Sequence, residues 1–349
     1  MTFATLPDRA VLANRIRKSR HELATAVNER FFSNHPDWRQ KYGDRGVRLG
    51  YEDAGFHLDF LAAAIECGEP KSFASYAEWA RRMLDSRNIG AEFLAESIDQ
   101  VGQVVQSMMT EAEQRSVQPF IDTALDVCRT TSDDPSTIGS QASVFVQALL
   151  SGNRSAASNV MWEFSRSGTS LEQLYLDVIQ PAMYEIGRLW QINRITVARE
   201  HMATVITQFV MAQLYPLISQ TRERELGHVV IAGVQGELHQ IGPLMVADLL
   251  EADGWTVEFL GSNMPHDGIL KAIEETRAHI LGISATMLFN LQSATQLIAE
   301  TRLRFPDVKI IVGGAAFRYS PDYWREAGAD AYAADLRAAR EMARSWTGH

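Results

Sequence analysis

The run Glu237-Leu238-His239-Gln240-Ile241-Gly242 carries the residues best suited to chemistry in this chain. It sets an imidazole on a glycine-flanked turn with a carboxylate two residues before it. Such a pair can offer one ring nitrogen to a metal while the carboxylate binds the other, fixing tautomer and basicity. A lone Glu-x-His in a loop is also met as a solvated pair, so its neighbours in space matter. Ser284-Ala285-Thr286 and Gly313-Gly314 lie downstream, and Trp190 and Glu200-His201 lie upstream.

The elements that must position these residues follow from hydrophobic period. From His228 onward, short β-branched runs alternate with amphipathic stretches. Strands are expected at 229–234, 256–260, 280–284 and 310–312, with a weak one near Ala331-Tyr332. Helices are expected at about 243–253, 267–278, 291–304, 322–328 and 336–346. Five alternating units predict a Rossmann- or flavodoxin-like, doubly wound parallel sheet over 226–349. With strand order 2-1-3-4-5, ligands sit at the carboxyl ends between strands 1 and 3. His239 follows strand 1, Ser284-Ala285-Thr286 ends strand 3, and Gly313-Gly314 ends strand 4. All three features converge on one edge. Pro243 suits the first turn of the following helix, where its missing N–H costs nothing.

Before the sheet, residues 139–222 read as helices around 142–151, 156–167, 170–190 and 196–219, a small four-helix bundle. Residues 1–130 read as all helix. Apolar spacing from Val11 through Phe32 predicts one long first helix, stopped by His35-Pro36. A second helix is expected over 51–65, ending near Gly68, with Ser72 capping the next. Two further helices are expected at about 90–110 and 112–129. Residues 131–138 are polar and proline-containing, a linker.

The 349 residues suffice for several domains, and 46% apolar with 22% charged residues is a globular balance. A net charge of −10 argues against a nucleic-acid footprint. Two cysteines, Cys67 and Cys128, cannot form a disulfide framework and suit a reducing cytosol. No run reaches the roughly 18 apolar residues of a membrane span. A cytoplasmic protein is expected.

In order and placement, Glu237, His239, Gly242, Ser284, Thr286, Gly313 and Gly314 resemble the E/D-x-H-x-x-G…S-x-T…G-G signature of cobalamin (vitamin B12) binding domains. The resemblance implies that His239 ligates cobalt in place of the cofactor's own benzimidazole, with Glu237 on its other nitrogen. Ser284, Thr286, Gly313 and Gly314 would line the slot for the displaced nucleotide tail, and Gly233 and Gly236 would let backbone pass the corrin edge. The bundle resembles the cobalamin cap. Its Trp190…Glu200-His201 spacing is similar to that of B12-dependent photoreceptors, which include MerR-type light-responsive regulators. That likeness implies an indole covering the adenosyl group of adenosylcobalamin and Glu200 accepting from its ribose. Isolated, Trp190 would equally serve as a core anchor and Glu200 as a first-turn charge. Those regulators carry a histidine after the tryptophan; position 191 here is Gln, leaving His201 as a substitute ligand after photolysis. Their DNA-binding helix-turn-helix is absent, so DNA binding is not implied.

Residues 1–130 resemble the globin-like domain of photocobilins, B12 photoreceptors that also bind a linear tetrapyrrole such as biliverdin. The similarity rests on the stretches from Tyr51 to Leu61 and from Tyr76 to Arg82. A bilin needs aromatic walls, a polar group near its pyrrole nitrogens and cations for two propionates. Tyr51, His57, Tyr76 and Trp79 are candidates for the first two, and Arg81, Arg82 and Arg87 for the third; ordinary core and a solvated face fit them equally. Cys67 reads as a buried thiol before a bilin attachment point. The chain is thus expected to be a light sensor rather than an enzyme, signalling through oligomeric state or a separate effector. The rivals are a corrinoid methyl carrier, which typically has Asp in place of Glu237, and a haem-based gas sensor using His57.

Overall fold

The computed structural model describes residues 5–130, 138–219, 226–319 and 322–347. The chain divides into two compact units, Met1–Asp133 with Tyr319–Tyr323, and Asp134–Arg318 with Trp324–His349. The linker residues 131–137 lie outside the described residues.

The first unit is helical: α1 Leu6–Lys18, α2 Arg20–Asn34, α3 Pro36–Cys67, α4 Pro70–Asp85, α5 Ala91–Ser107 and α6 Glu111–Arg129. The single first helix expected from sequence is two, broken at Ser19. Buried Leu12, Ile16, Leu23, Val27 and Phe31 keep helical spacing across the break, so periodicity alone could not show it. Helix α3 begins at Pro36, well before Tyr51, and its mostly polar first part shows no apolar stripe in the sequence; Gly43 interrupts it at φ 60°. Gly68 ends α3 in the left-handed region, as expected. Ser72 is not the cap of α4. Glu69 accepts from the Lys71 N–H at 3.2 Å, and the Ser72 hydroxyl donates back to the Glu69 carbonyl at 2.6 Å.

The second unit opens with α7 Ser140–Leu150, α8 Arg154–Arg166, α9 Leu171–Gln173, a π-helical turn Leu174–Ile179, α10 Gln180–Gln191 and α11 Val197–Ser219. Residues 171–191 form one continuous helix. Its wide turn has a local cause. Pro181 has no N–H to donate to the Asp177 carbonyl, and its ring crowds that oxygen. The helix widens instead, and the Gln180 N–H donates to the Tyr175 carbonyl, five residues back.

The sheet follows: β1 His228–Gly233, α12 Ile241–Ala252, β2 Thr256–Phe259, α13 His266–Thr276, β3 Ile280–Ser284, α14 Leu291–Arg304, β4 Lys309–Gly313, α15 Ala315–Arg318, α16 Tyr323–Glu326, β5 Ala331–Ala333 and α17 Leu336–Ser345. All strands pair parallel in the order β2-β1-β3-β4-β5. Val229, Ile231, Ile280 and Ile311 face α12 and α17 in one core. Their alternates Val230, Leu281, Ile283, Ile310 and Val312 are buried on the opposite face. The bundle packs on the sheet through a second core, in which Met245, Leu249 and Leu336 join Phe145, Tyr175, Ile186 and Val210.

Register brings distant motif residues level. Gly233 of β1 pairs with Ser284 of β3, which pairs with Gly313 of β4. Beyond them Gly314 turns at φ 98°, and a Cβ there would stand 2.2 Å from the Ala285 carbonyl oxygen. Backbone cannot yield as a side chain would. Gly314→Ala is expected to cost about 3 kcal/mol through strain and overlap together, seen as a lower urea midpoint at unchanged slope.

Candidate functional site

Glu237 is fully buried, and five donors converge on its carboxylate. Oε1 accepts from the His239 N–H at 3.0 Å and from His239 Nδ1 at 2.6 Å. Oε2 accepts from the N–H groups of Thr286 (2.6 Å) and Met287 (3.1 Å) and from the Asn290 side-chain amide (3.0 Å). Burial alone would push this carboxyl up; the donors from His239 and Thr286 overcome it and hold it down at about 2. It stays ionised. The same hydrogen bond raises His239 against the opposing effect of burial, helped by the charges of Glu237 and Glu200.

With Nδ1 engaged, neutral His239 presents the lone pair of Nε2 from a side chain 56% exposed. The turn that carries it is specified by glycines. Gly236 sits at φ 88° and donates its N–H to the Asn263 side chain at 2.8 Å. A Cβ on Gly233 would lie 3.1 Å from Ser262 Cα, whereas a Cβ on Gly242, in the first turn of α12, would meet nothing within 4 Å. Gly242 therefore borders open space. Ser284 is buried at the end of β3, and Gly313 and Gly314 end β4 at the same edge.

On the cap side, Trp190 is half-buried in the last turn of α10, and residues 192–196 lead into α11. Glu200, in the first turn of α11, is near enough to His239 for its charge to act on the ring. Glu200 also receives His201 Nδ1 at 2.6 Å and the Thr204 hydroxyl at 3.3 Å. His201 lines a separate shallow cavity of about 380 Å³ with Gly152, Arg154, Ala198, Met202, Val205 and Ile206. Gln191 is buried.

Sequence reasoning missed Asn290 and Asn263, and it did not anticipate that the Thr286 backbone N–H binds Glu237. The usable signal was Asn290 itself, an amide within Leu288-Phe289-Asn290-Leu291. A polar group in an apolar run is buried only with partners.

In the first unit, His57 is buried and bonds the Tyr76 hydroxyl at 2.8 Å; burial lowers its pKa to about 4 and keeps it neutral. Tyr76 stacks with Phe60 at 3.8 Å between centroids and faces Trp79 at 6.5 Å. Tyr51 stands apart, bonded to His21 at 2.7 Å. Arg81 pairs with Asp85 (3.1 Å), Arg82 with Glu78 (2.6 Å), and Arg87 donates to the Met83 carbonyl (2.8 Å). These cations are thus engaged within their own stretch of chain. Burial pushes the Cys67 thiol up to about 11, the state of an inert thiol.

Among the described residues no group of three or more His, Cys, Asp or Glu side chains could hold a metal. A single imidazole with a fixed tautomer instead suits a metal that brings its other ligands in a macrocycle. The donor set and the open space at Gly242 fit a cobalt corrinoid.

The family description "B12 binding domain" matches residues 227–340, and a second B12 binding domain matches residues 142–215. The dimethylamine corrinoid protein of Methanosarcina barkeri is 31% identical over 156 residues, covering 43% of this chain and 71% of that protein. The chain belongs to the B12-binding corrinoid protein family. Another relative of these corrinoid proteins, dimethylamine corrinoid protein 3 of Methanosarcina acetivorans, is 29% identical over 49% of this chain and 80% of its own length. The HTH-type transcriptional repressor CarH of Myxococcus xanthus is 28% identical over 41% of this chain and 47% of that protein. The structure of the Methanosarcina barkeri monomethylamine corrinoid protein superposes with a TM-score of 0.52 at 21% identity, covering 58% of this chain and 95% of that one. It shares the cap-plus-sheet fold. This corrinoid protein family member therefore binds cobalamin. Among its described residues no helix is long and apolar enough to cross a membrane.

Proposed function

We propose that the protein is a light sensor that holds adenosylcobalamin between His239 and the Trp190–Glu200 end of the cap. What supports this is the packing of the bundle on α12 through one core, which brings the charge of Glu200 within reach of the His239 ring. His239 would donate Nε2 to cobalt, steadied by Glu237. Trp190 would cover the upper ligand, and Glu200 would accept from its ribose. When bound, adenosylcobalamin supplies a cobalt–carbon bond that visible light breaks. Trp190 and Glu200 would then give up their contacts, and the cap would be free to rearrange and to alter assembly or the hold on an effector.

The first unit is proposed to be globin-like and to carry a bilin such as biliverdin. The flat ladder of Phe60, Tyr76 and Trp79, with the His57–Tyr76 pair beside it, supports this. The acid-paired arginines argue that propionates, if held there, displace Glu78 or Asp85.

The decisive experiment is reconstitution in the dark followed by green and red light. Wild type is expected to change absorbance and assembly under green light, and Trp190→Ala to lose at least tenfold in adenosylcobalamin affinity. Unchanged absorbance and assembly would sink the sensor. A methyl carrier is the second reading, favoured by the names of the dimethylamine corrinoid relatives. It requires methylcobalamin to bind at least as tightly as adenosylcobalamin.

A further inference from the structure

We infer that the π-helical turn at Leu174–Ile179, seated by Tyr175 on Asp248, is the device that aims Trp190 over the cofactor held by His239. This rests on the proposed reading of the upper face. Tyr175 is fully buried, and its hydroxyl donates to buried Asp248 at Oδ2, 2.6 Å away. Asp248 lies in α12, the helix that leaves the His239 turn within two residues. Around it Glu172 binds Arg337 (2.8 Å) and Arg340 (2.7 Å), Arg340 also binds Asp253, and the Tyr215 hydroxyl binds Glu251 at 2.7 Å. The stretch 172–175 and α12 are therefore one mechanical piece.

Trp190 lies fifteen residues beyond Tyr175 on the same continuous helix, with the wide turn between them. A π turn takes one residue more than an α turn, and each α-helical residue turns the chain by about 100°. Everything after the turn is thus rotated by about that angle from a regular helix of the same sequence. Were the turn to tighten while Tyr175 stayed on Asp248, the indole would swing about a quarter turn around the axis. At the radius of a helical side chain that is a displacement of about 8 Å. Pro181 prevents the tightening, since a regular helix would set its ring against the Asp177 carbonyl. Replacing both members of a buried polar pair by apolar groups of like shape is nearly neutral, so stability alone does not call for this pair. What the hydroxyl adds is a fixed register between cap and sheet. Tyr175, Asp248 and Pro181 are positioning residues, acting on the cofactor through Trp190.

The test titrates full-length protein with hydroxocobalamin and with adenosylcobalamin, following absorbance in the dark. Tyr175→Phe and Pro181→Ala are expected to bind hydroxocobalamin within twofold of wild type, with the histidine-ligated spectrum intact. Both are expected to lose at least tenfold in affinity for adenosylcobalamin. Asp248→Asn, which keeps an acceptor for the hydroxyl, is expected to hold the wild-type ratio within twofold. Equal losses for both cofactors would mean general destabilisation and overturn the inference. A wild-type preference that survives in both Tyr175→Phe and Pro181→Ala would overturn it while sparing the reading it rests on. Wild type that does not prefer adenosylcobalamin overturns that reading, and this inference with it.

Discussion

His239→Ala is expected to lower cobalamin affinity at least 100-fold while leaving the apo fold almost unchanged. The two effects separate because the ring is more than half exposed, so its removal opens no core cavity. Glu237 loses one donor of five but keeps the His239 backbone N–H and three others. What disappears is the proposed donor to cobalt. Titration of the variant is expected to show no histidine-ligated absorption, and free imidazole should restore it in part. A variant that keeps the wild-type spectrum would assign the axial role elsewhere.

Glu237→Ala is expected to act in the opposite sense, on the fold before the cofactor. Removing the carboxylate strands the N–H groups of Thr286 and Met287 and the Asn290 amide at a fully buried point. Stranded buried donors cost about 1–3 kcal/mol each where water cannot reach them, and a total of about 3–5 kcal/mol is expected after relaxation. The pH dependence gives an independent check. A carboxyl depressed from 4.5 to about 2 binds fewer protons folded than unfolded. Its contribution is complete above about 4.5, falls as acid is added, and is gone below about 2. Denaturation of apo protein should therefore show a loss of about 3 kcal/mol across that window, and Glu237→Ala should flatten it. Parallel pH profiles for the two proteins would contradict the assignment.

The sheet was legible because β-branched runs and amphipathic stretches alternate cleanly after His228, and the reversal between β1 and β3 follows from strand order alone. The residues with distinctive types, Glu237, His239 and the Gly313-Gly314 pair, were legible too. The cage around Glu237 was not, because three of its donors are main-chain N–H groups, which every residue but proline carries. The break at Ser19 was hidden by apolar spacing that runs through it, and the early start of α3 by a mostly polar first part whose packed residues, Trp38 and Tyr42, are too few to show a stripe. The π turn was foreshadowed by Pro181 inside an otherwise helical run, a local conflict with two outcomes, a break or a widening. Packing of Tyr175, Val178 and Ile179 into the core selects widening.

Helix α12 is wetted on neither flank: Met245 and Leu249 belong to the core shared with the bundle, Ala247 and Leu250 to the core under the sheet. Cutting the chain between bundle and sheet would thus leave a raw oily seam on either fragment. The smallest transplantable receptor in this chain is the whole second unit, and a gene fusion that carries the sheet without its lid should yield insoluble product.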